Sequence, residues 1–154
     1  MGPPISPRVE GFPGHLALAC GGRLYSITAP SSDTHFEEGL IVESISQEDG
    51  DTWQAELTPP MKMVQSSGAA IGDMLFAVGQ DGFCSFDTVT RTWTRLPNPP
   101  TLLTAPYVAC HGGKLWVLAD YTSTACYCWS LTEQCWRKGP EAPANRGWGG
   151  AASF

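Results

Sequence analysis

Short apolar runs, each closed by glycine, aspartate or proline, follow one another along most of this chain. The clearest succession lies between Gly68 and Pro100. Gly68 to Ile71 is small and apolar, Gly72-Asp73 turns the chain, and Met74 to Val78 has the bulk of a buried strand. Gly79-Gln80-Asp81-Gly82 turns it again, and Asp81-Gly82 is a hairpin signal because glycine tolerates the positive φ such a turn needs. Phe83 to Phe86 reads as a third strand, Asp87 to Arg91 as a polar turn, and Thr92 to Leu96 as a fourth strand of alternating polarity. Pro97, Pro99 and Pro100 stop it, since proline cannot donate to a ladder. One four-stranded meander cannot bury both of its faces, so it must stack on copies of itself.

Those copies are present. Trp93 has counterparts in Trp53 and Trp136, each roughly 40 residues away. Leu75-Phe76 has counterparts in Leu24-Tyr25 and Leu115-Trp116, each behind a glycine-bearing turn (Gly21-Gly22, Gly72-Asp73, Gly112-Gly113). Pro59-Pro60 and Pro99-Pro100 follow two of the tryptophan strands, and Pro140 and Pro143 stand in the third place. In the first unit the strands fall at His15–Cys20, Arg23–Ile27, Leu40–Ile45 and Thr52–Leu57. In the third they fall at Val108–His111, Lys114–Ala119, Ala125–Leu131 and Gln134–Lys138. Tyr127, Trp129 and Leu131 alternate with Cys126, Cys128 and Ser130, so the aromatic side should pack on a neighbouring unit. A fixed period with four strands per unit is the signature of propeller blades.

The blade pattern resembles that of the kelch family: a small-residue strand, a glycine turn, an Ile/Leu-Tyr strand ending in a double glycine, then an aromatic separated from a tryptophan by six intervening residues. This chain supplies Leu75-Phe76, Gly79, Phe86 and Trp93 in one blade, and Leu115-Trp116, Trp129 and Trp136 in the next. The first blade supplies Leu24-Tyr25 and Trp53 with an insertion between. The family's double glycine is replaced by Thr28-Ala29, Gly79-Gln80 and Ala119-Asp120. The rival WD-repeat pattern lacks its Trp-Asp pair here and keeps only Gly14-His15. The expected fold is all-β, a partial β-propeller of three four-stranded antiparallel blades plus one strand of a fourth. The divisions are a disordered lead-in over 1–14, blades over 15–62, 63–100 and 101–143, and the fourth-blade strand over 144–154. Kelch rings close with roughly five to seven blades. Two readings of this count stand open: a fragment of a longer protein, or two chains that self-associate through open blade faces into one six-bladed ring.

Composition narrows the function. The chain of 154 residues carries 9 Lys+Arg, scattered singly, and a net charge of −6. That speaks against a nucleic-acid backbone binder, which needs a basic patch. Six cysteines fall on predicted strands without a secretory leader, and read as buried reduced thiols of an intracellular protein, cytoplasmic or also nuclear. No apolar run is long enough to span a membrane. Glycine and proline are abundant without a collagen-like period, as an all-β fold with many turns requires.

No nucleophile elbow, P-loop or zinc-protease motif occurs, and His15, His35 and His111 sit in unrelated contexts. Cys126, Cys128 and Cys135 fall short of the paired close-spaced ligands of a tetrahedral metal site. The expectation is therefore no enzyme, no catalytic residue, no metal and no cofactor. The family resemblance implies a protein or peptide partner, held by the loops that join second to third strands and link the blades. On that face this sequence offers Asp33, His35, Glu37, Glu38, Gln65, Gln80, Asp81, Tyr107, Asp120, Tyr121 and Arg146. The family members that bind acidic peptides place arginine at the start of the inner strand. Here that position is Gln65 or Ala105, and only Arg146 keeps it, so a polar or basic peptide fits better. By resemblance the module recognises substrates for a cullin-type ubiquitin ligase through a BTB or F-box part absent from this sequence. An actin-associated scaffold is the alternative, and a kelch-type enzyme fragment the third reading.

Overall fold

A computed structural model describes residues 15–28, 41–60, 67–80, 82–101, 103, 106–119 and 123–144. The lead-in over 1–14 and, apart from Ala144, the strand expected over 144–154 lie outside these residues.

The described chain is all-β. Three four-stranded antiparallel sheets follow one another, each a meander in chain order. The first contains β1 (His15–Cys20), β2 (Arg23–Thr28), β3 (Ile41–Ile45) and β4 (Gln54–Ala55). The second contains β5 (Ser67–Ile71), β6 (Met74–Gly79), β7 (Gly82–Asp87) and β8 (Thr92–Leu96). The third contains β9 (Tyr107–His111), β10 (Lys114–Leu118), β11 (Cys126–Ser130) and β12 (Cys135–Lys138). Among the described residues the helix content is one 3-10 turn, Gln47–Asp49. The inner strand β5 runs beside both β1 and β9. The three sheets therefore stack face to face as blades of a partial β-propeller.

Register explains why the blades stack. Leu75 pairs with Phe86, and Phe86 with Trp93, so one residue from each of three strands meets on a single face. In the third blade Leu115, Trp129 and Trp136 occupy the same places. The Leu75 face packs on Cys20 and Tyr25 of the first blade. The opposite face of the second blade, with Phe76, Val78 and Phe83, packs on Val108, Leu115, Val117, Tyr127 and Trp129 of the third. Phe83 sits edge-on to Trp129 at 5.1 Å and lies 4.9 Å from Trp136. The aromatic side of β11 thus faces its neighbour, as its alternation predicts. Trp129 is fully buried, and its indole N–H has no acceptor among the described residues.

Each blade closes its last hairpin the same way. Asp87 Oδ1 accepts from the backbone of Val89 (2.8 Å) and Thr90 (3.0 Å). Ser130 Oγ accepts from Glu133 N at 3.1 Å, and Ser46 Oγ from Asp49 N at 3.3 Å. A short side chain that carries oxygen can satisfy turn donors in this way, which is why these residue types stand there. The residue after the capped turn is left-handed in all three blades: Gly50 (φ 67), Arg91 (φ 56) and Gln134 (φ 54). The first blade has one residue more in this turn, with Asp51 also left-handed at φ 56. That addition, with Pro59-Pro60 beyond, shortens β4 to Gln54–Ala55 from the expected Thr52–Leu57. Contact continues past the strand, where Glu56 N donates to the Val42 carbonyl at 2.8 Å.

All six cysteines are reduced thiols, and Cys20, Cys84, Cys126 and Cys128 are buried. Among the described residues, no helix is long and apolar enough to cross a membrane.

Candidate functional site

The turn between β6 and β7 lies beside the segment that leaves β8. In the second blade the turn pairs Gly79 with Gly82, leaving Gln80 half-buried at its tip. The chain leaving β8 runs back past this turn. Together they enclose a recess of about 110 Å³ lined by Gly79, Gln80, Gly82, Asn98, Pro99, Thr101 and Leu103. Leu103 is buried in the core between the second and third blades and anchors the link from below. Thr101 Oγ1 and the Tyr127 hydroxyl lie 2.6 Å apart, which ties the link to the third blade. Gln80 and Asn98 contribute one carboxamide each to the lining and Thr101 a hydroxyl. Such a recess can exchange paired hydrogen bonds with a polar side chain or an extended backbone.

Of the residues singled out from sequence, Gln80 lines this recess. Tyr107, the first residue of β9, is half-buried and pairs with Leu118, so it sits at the end of its sheet where β10 leads into the next connection. Asp33, His35, Glu37, Glu38, Gln65, Asp81, Asp120, Tyr121 and Arg146 lie outside the described residues. Asn98 and Thr101 are additional members of the site. Their local sequence reads only as the proline-rich end of β8, and what could have flagged them is their place in the link beside a second-to-third-strand turn.

A second polar cluster joins the first and second blades. Arg23 donates to Ser44 Oγ from Nε (3.1 Å) and Nη2 (2.9 Å) and to Ser46 Oγ from Nη1 (3.2 Å), and it pairs with Asp49. Ser44 Oγ donates to Glu56 Oε1 at 2.5 Å. Arg91 of the second blade completes the chain on Glu56 Oε2. Hydrogen bonds and ion pairs run without a break from Arg23 through Ser44 and Glu56 to Arg91, so the cluster ties one blade to the next. The Ser46 hydroxyl, followed by Arg23, holds the Asp49 carboxyl below its ordinary range. Among the described residues no three His, Cys, Asp or Glu side chains gather to hold a metal ion.

No protein-family model and no curated protein matches this chain.

Proposed function

We propose that this chain is a divergent kelch-type propeller segment acting as a protein-interaction module. Its partner is a polar or basic peptide segment of another protein. The observation that carries the reading is the recess at Gln80, Asn98 and Thr101, set on the loop end of a rigid stack of blades. Binding residues placed on loops above a packed scaffold are the common arrangement for recognition. The net charge of −6 favours a partner of opposite sign. In this reading the module selects substrates for a cullin-type ubiquitin ligase, joined to a BTB or F-box part, in the cytoplasm or nucleus.

The test is a binding screen of the purified chain against an array of polar, basic and acidic peptides. Polar or basic peptides should bind, and Gln80→Ala with Asn98→Ala should weaken them at least tenfold. Binding that ignores both substitutions, or that favours acidic peptides, would refute the site. Co-sedimentation with filamentous actin would move the reading to the cytoskeletal scaffold.

A further inference from the structure

The recess beside the Gly79–Gly82 turn is small and, among its described lining residues, neutral. Gln80, Asn98 and Thr101 supply its polar side chains, and Pro99 and Leu103 its apolar ones. A water molecule takes about 30 Å³ of the liquid, so a recess of about 110 Å³ holds about four non-hydrogen atoms. That is one short side-chain arm.

The hydroxyl pair at Thr101 adds a directional donor. Thr101 Oγ1 and the Tyr127 hydroxyl lie 2.6 Å apart, and Tyr127 is 8% exposed. A phenol, with a pKa of about 10, is a far stronger acid than an aliphatic alcohol, so Tyr127 is the donor of this bond. Thr101 Oγ1 accepts, and its own proton is left for another acceptor. Thr101 makes no second hydrogen bond among the described residues, and the side chains of Gln80 and Asn98 have no partner among them. The lining therefore offers one hydroxyl donor beside two carboxamides, each with a donor and an acceptor.

We propose that the recess takes one carboxamide side chain of the partner, asparagine before glutamine, and that Tyr127 positions Thr101 for it. The proposal rests on the recess being the binding site put forward above. The CH2–CO–NH2 arm of asparagine matches the number of atoms that the volume admits. Its carbonyl oxygen accepts from the Thr101 hydroxyl, and its NH2 group donates to a lining carboxamide oxygen. A lysine or aspartate would give up water there without meeting an opposite charge among the described lining residues. Alanine would leave the lining groups unpaired, the situation in which a polar site discriminates most strongly. The basic character favoured by the net charge of −6 then belongs to the residues that flank the asparagine.

The test is fluorescence anisotropy of the full chain with basic-flanked peptide libraries that differ only in one fixed central residue. Asparagine should bind tightest and glutamine next, with aspartate, lysine and alanine weaker by about tenfold or more. Thr101→Val keeps the shape and removes the hydroxyl. It should weaken the asparagine library about threefold to tenfold and leave the alanine library unchanged. Tyr127→Phe should also weaken asparagine alone, and should add nothing in the Thr101→Val background. A loss shared equally by the asparagine and alanine libraries would make Tyr127 a packing residue and overturn its positioning role. Binding without a central preference, or with a preference for lysine or aspartate, would overturn the carboxamide and leave the protein-interaction reading standing. Binding by none of the libraries would remove both.

Discussion

Arg91 of the second blade holds Glu56 of the first through two nitrogens on one carboxylate oxygen, Nε at 3.0 Å and Nη2 at 2.8 Å. The two ends differ in environment: the Glu56 side chain is 2% exposed and that of Arg91 50%. Exposed pairs contribute up to about 1 kcal/mol, and breaking a buried one costs about 3–5. This pair is half of each kind. Arg91→Ala should therefore cost about 2 kcal/mol, because the buried carboxylate keeps only the Ser44 hydroxyl. Glu56→Gln should cost less, since the amide removes the charge that needs a partner. Urea unfolding of both variants and the double variant measures the coupling, and additive losses would show that the pair does not act as one unit.

The stacking of the blades depends on close approach at Gly68. A Cβ there would stand 2.2 Å from the Phe76 carbonyl oxygen and 2.9 Å from Leu16 Cδ2 of the first blade. The first obstacle is backbone inside the same sheet, which cannot rotate away. Gly68→Ala should cost about 2–3 kcal/mol. At Gly139 a Cβ would meet the Trp116 ring at 3.1 Å and Cys126 Sγ at 3.2 Å, both of them side-chain ends. Gly139→Ala should cost no more than about 1 kcal/mol. Thermal melts of the two variants compare them directly, and an equal loss would mean that Trp116 cannot give way.

The parts of this molecule that were legible in sequence are those set by periodicity. Alternation along a strand assigns each residue a face, so the sequence alone directs Tyr127, Trp129 and Leu131 at a neighbouring blade, where Trp129 meets Phe83. The recurrence of Trp53, Trp93 and Trp136 likewise fixed one position in three blades. The Glu56–Arg91 pair was not legible. Its partners are far apart in sequence, and nothing local distinguishes Glu56 from the other acidic residues of the first blade. Asn98 and Thr101 were hidden for a related reason. They belong to a link without hydrophobic period, and only the packing of that link against the Gly79–Gly82 turn gives them a site.

Acid should loosen the hairpin ends. The backbone N–H groups of Thr90 and Val89 hold the Asp87 carboxyl below its ordinary range, and the Ser46 hydroxyl with Arg23 does the same for Asp49. A carboxyl whose folded pKa is depressed adds stability above its unfolded pKa of about 3.9. That stability is lost as pH falls from there through the folded value. Stability should therefore decline below about pH 4, and Asp87→Asn with Asp49→Asn should flatten the decline. The variant Asp51→Asn is the control. Chemical denaturation from pH 7 to 2 provides the curve, and an acid limb unchanged in the double variant would assign it to other carboxyls.

Alkali should act from the core. Burial pushes the Cys84 thiol up to about 12, in a place between the first and second blades where it is wholly shielded. An unfolded cysteine titrates near about 8.5. Between these values the unfolded chain loses its proton while the folded chain keeps it, so stability is complete below about pH 8.5 and falls as pH rises toward 12. Burial raises Cys20, Cys110 and Cys126 in the same direction, and Tyr25 joins them by desolvation above about pH 10. The window from about pH 8.5 to 10 therefore isolates the thiols. Cys84→Ala should be less stable at neutral pH, because it leaves a small cavity, yet lose less further stability across that window. In the folded wild type, half-exposed Cys110 and Cys135 should react with a thiol reagent well before Cys84. Labelling of Cys84 as fast as Cys135 at pH 8 would place Cys84 in contact with solvent, and the alkaline argument would fail with it.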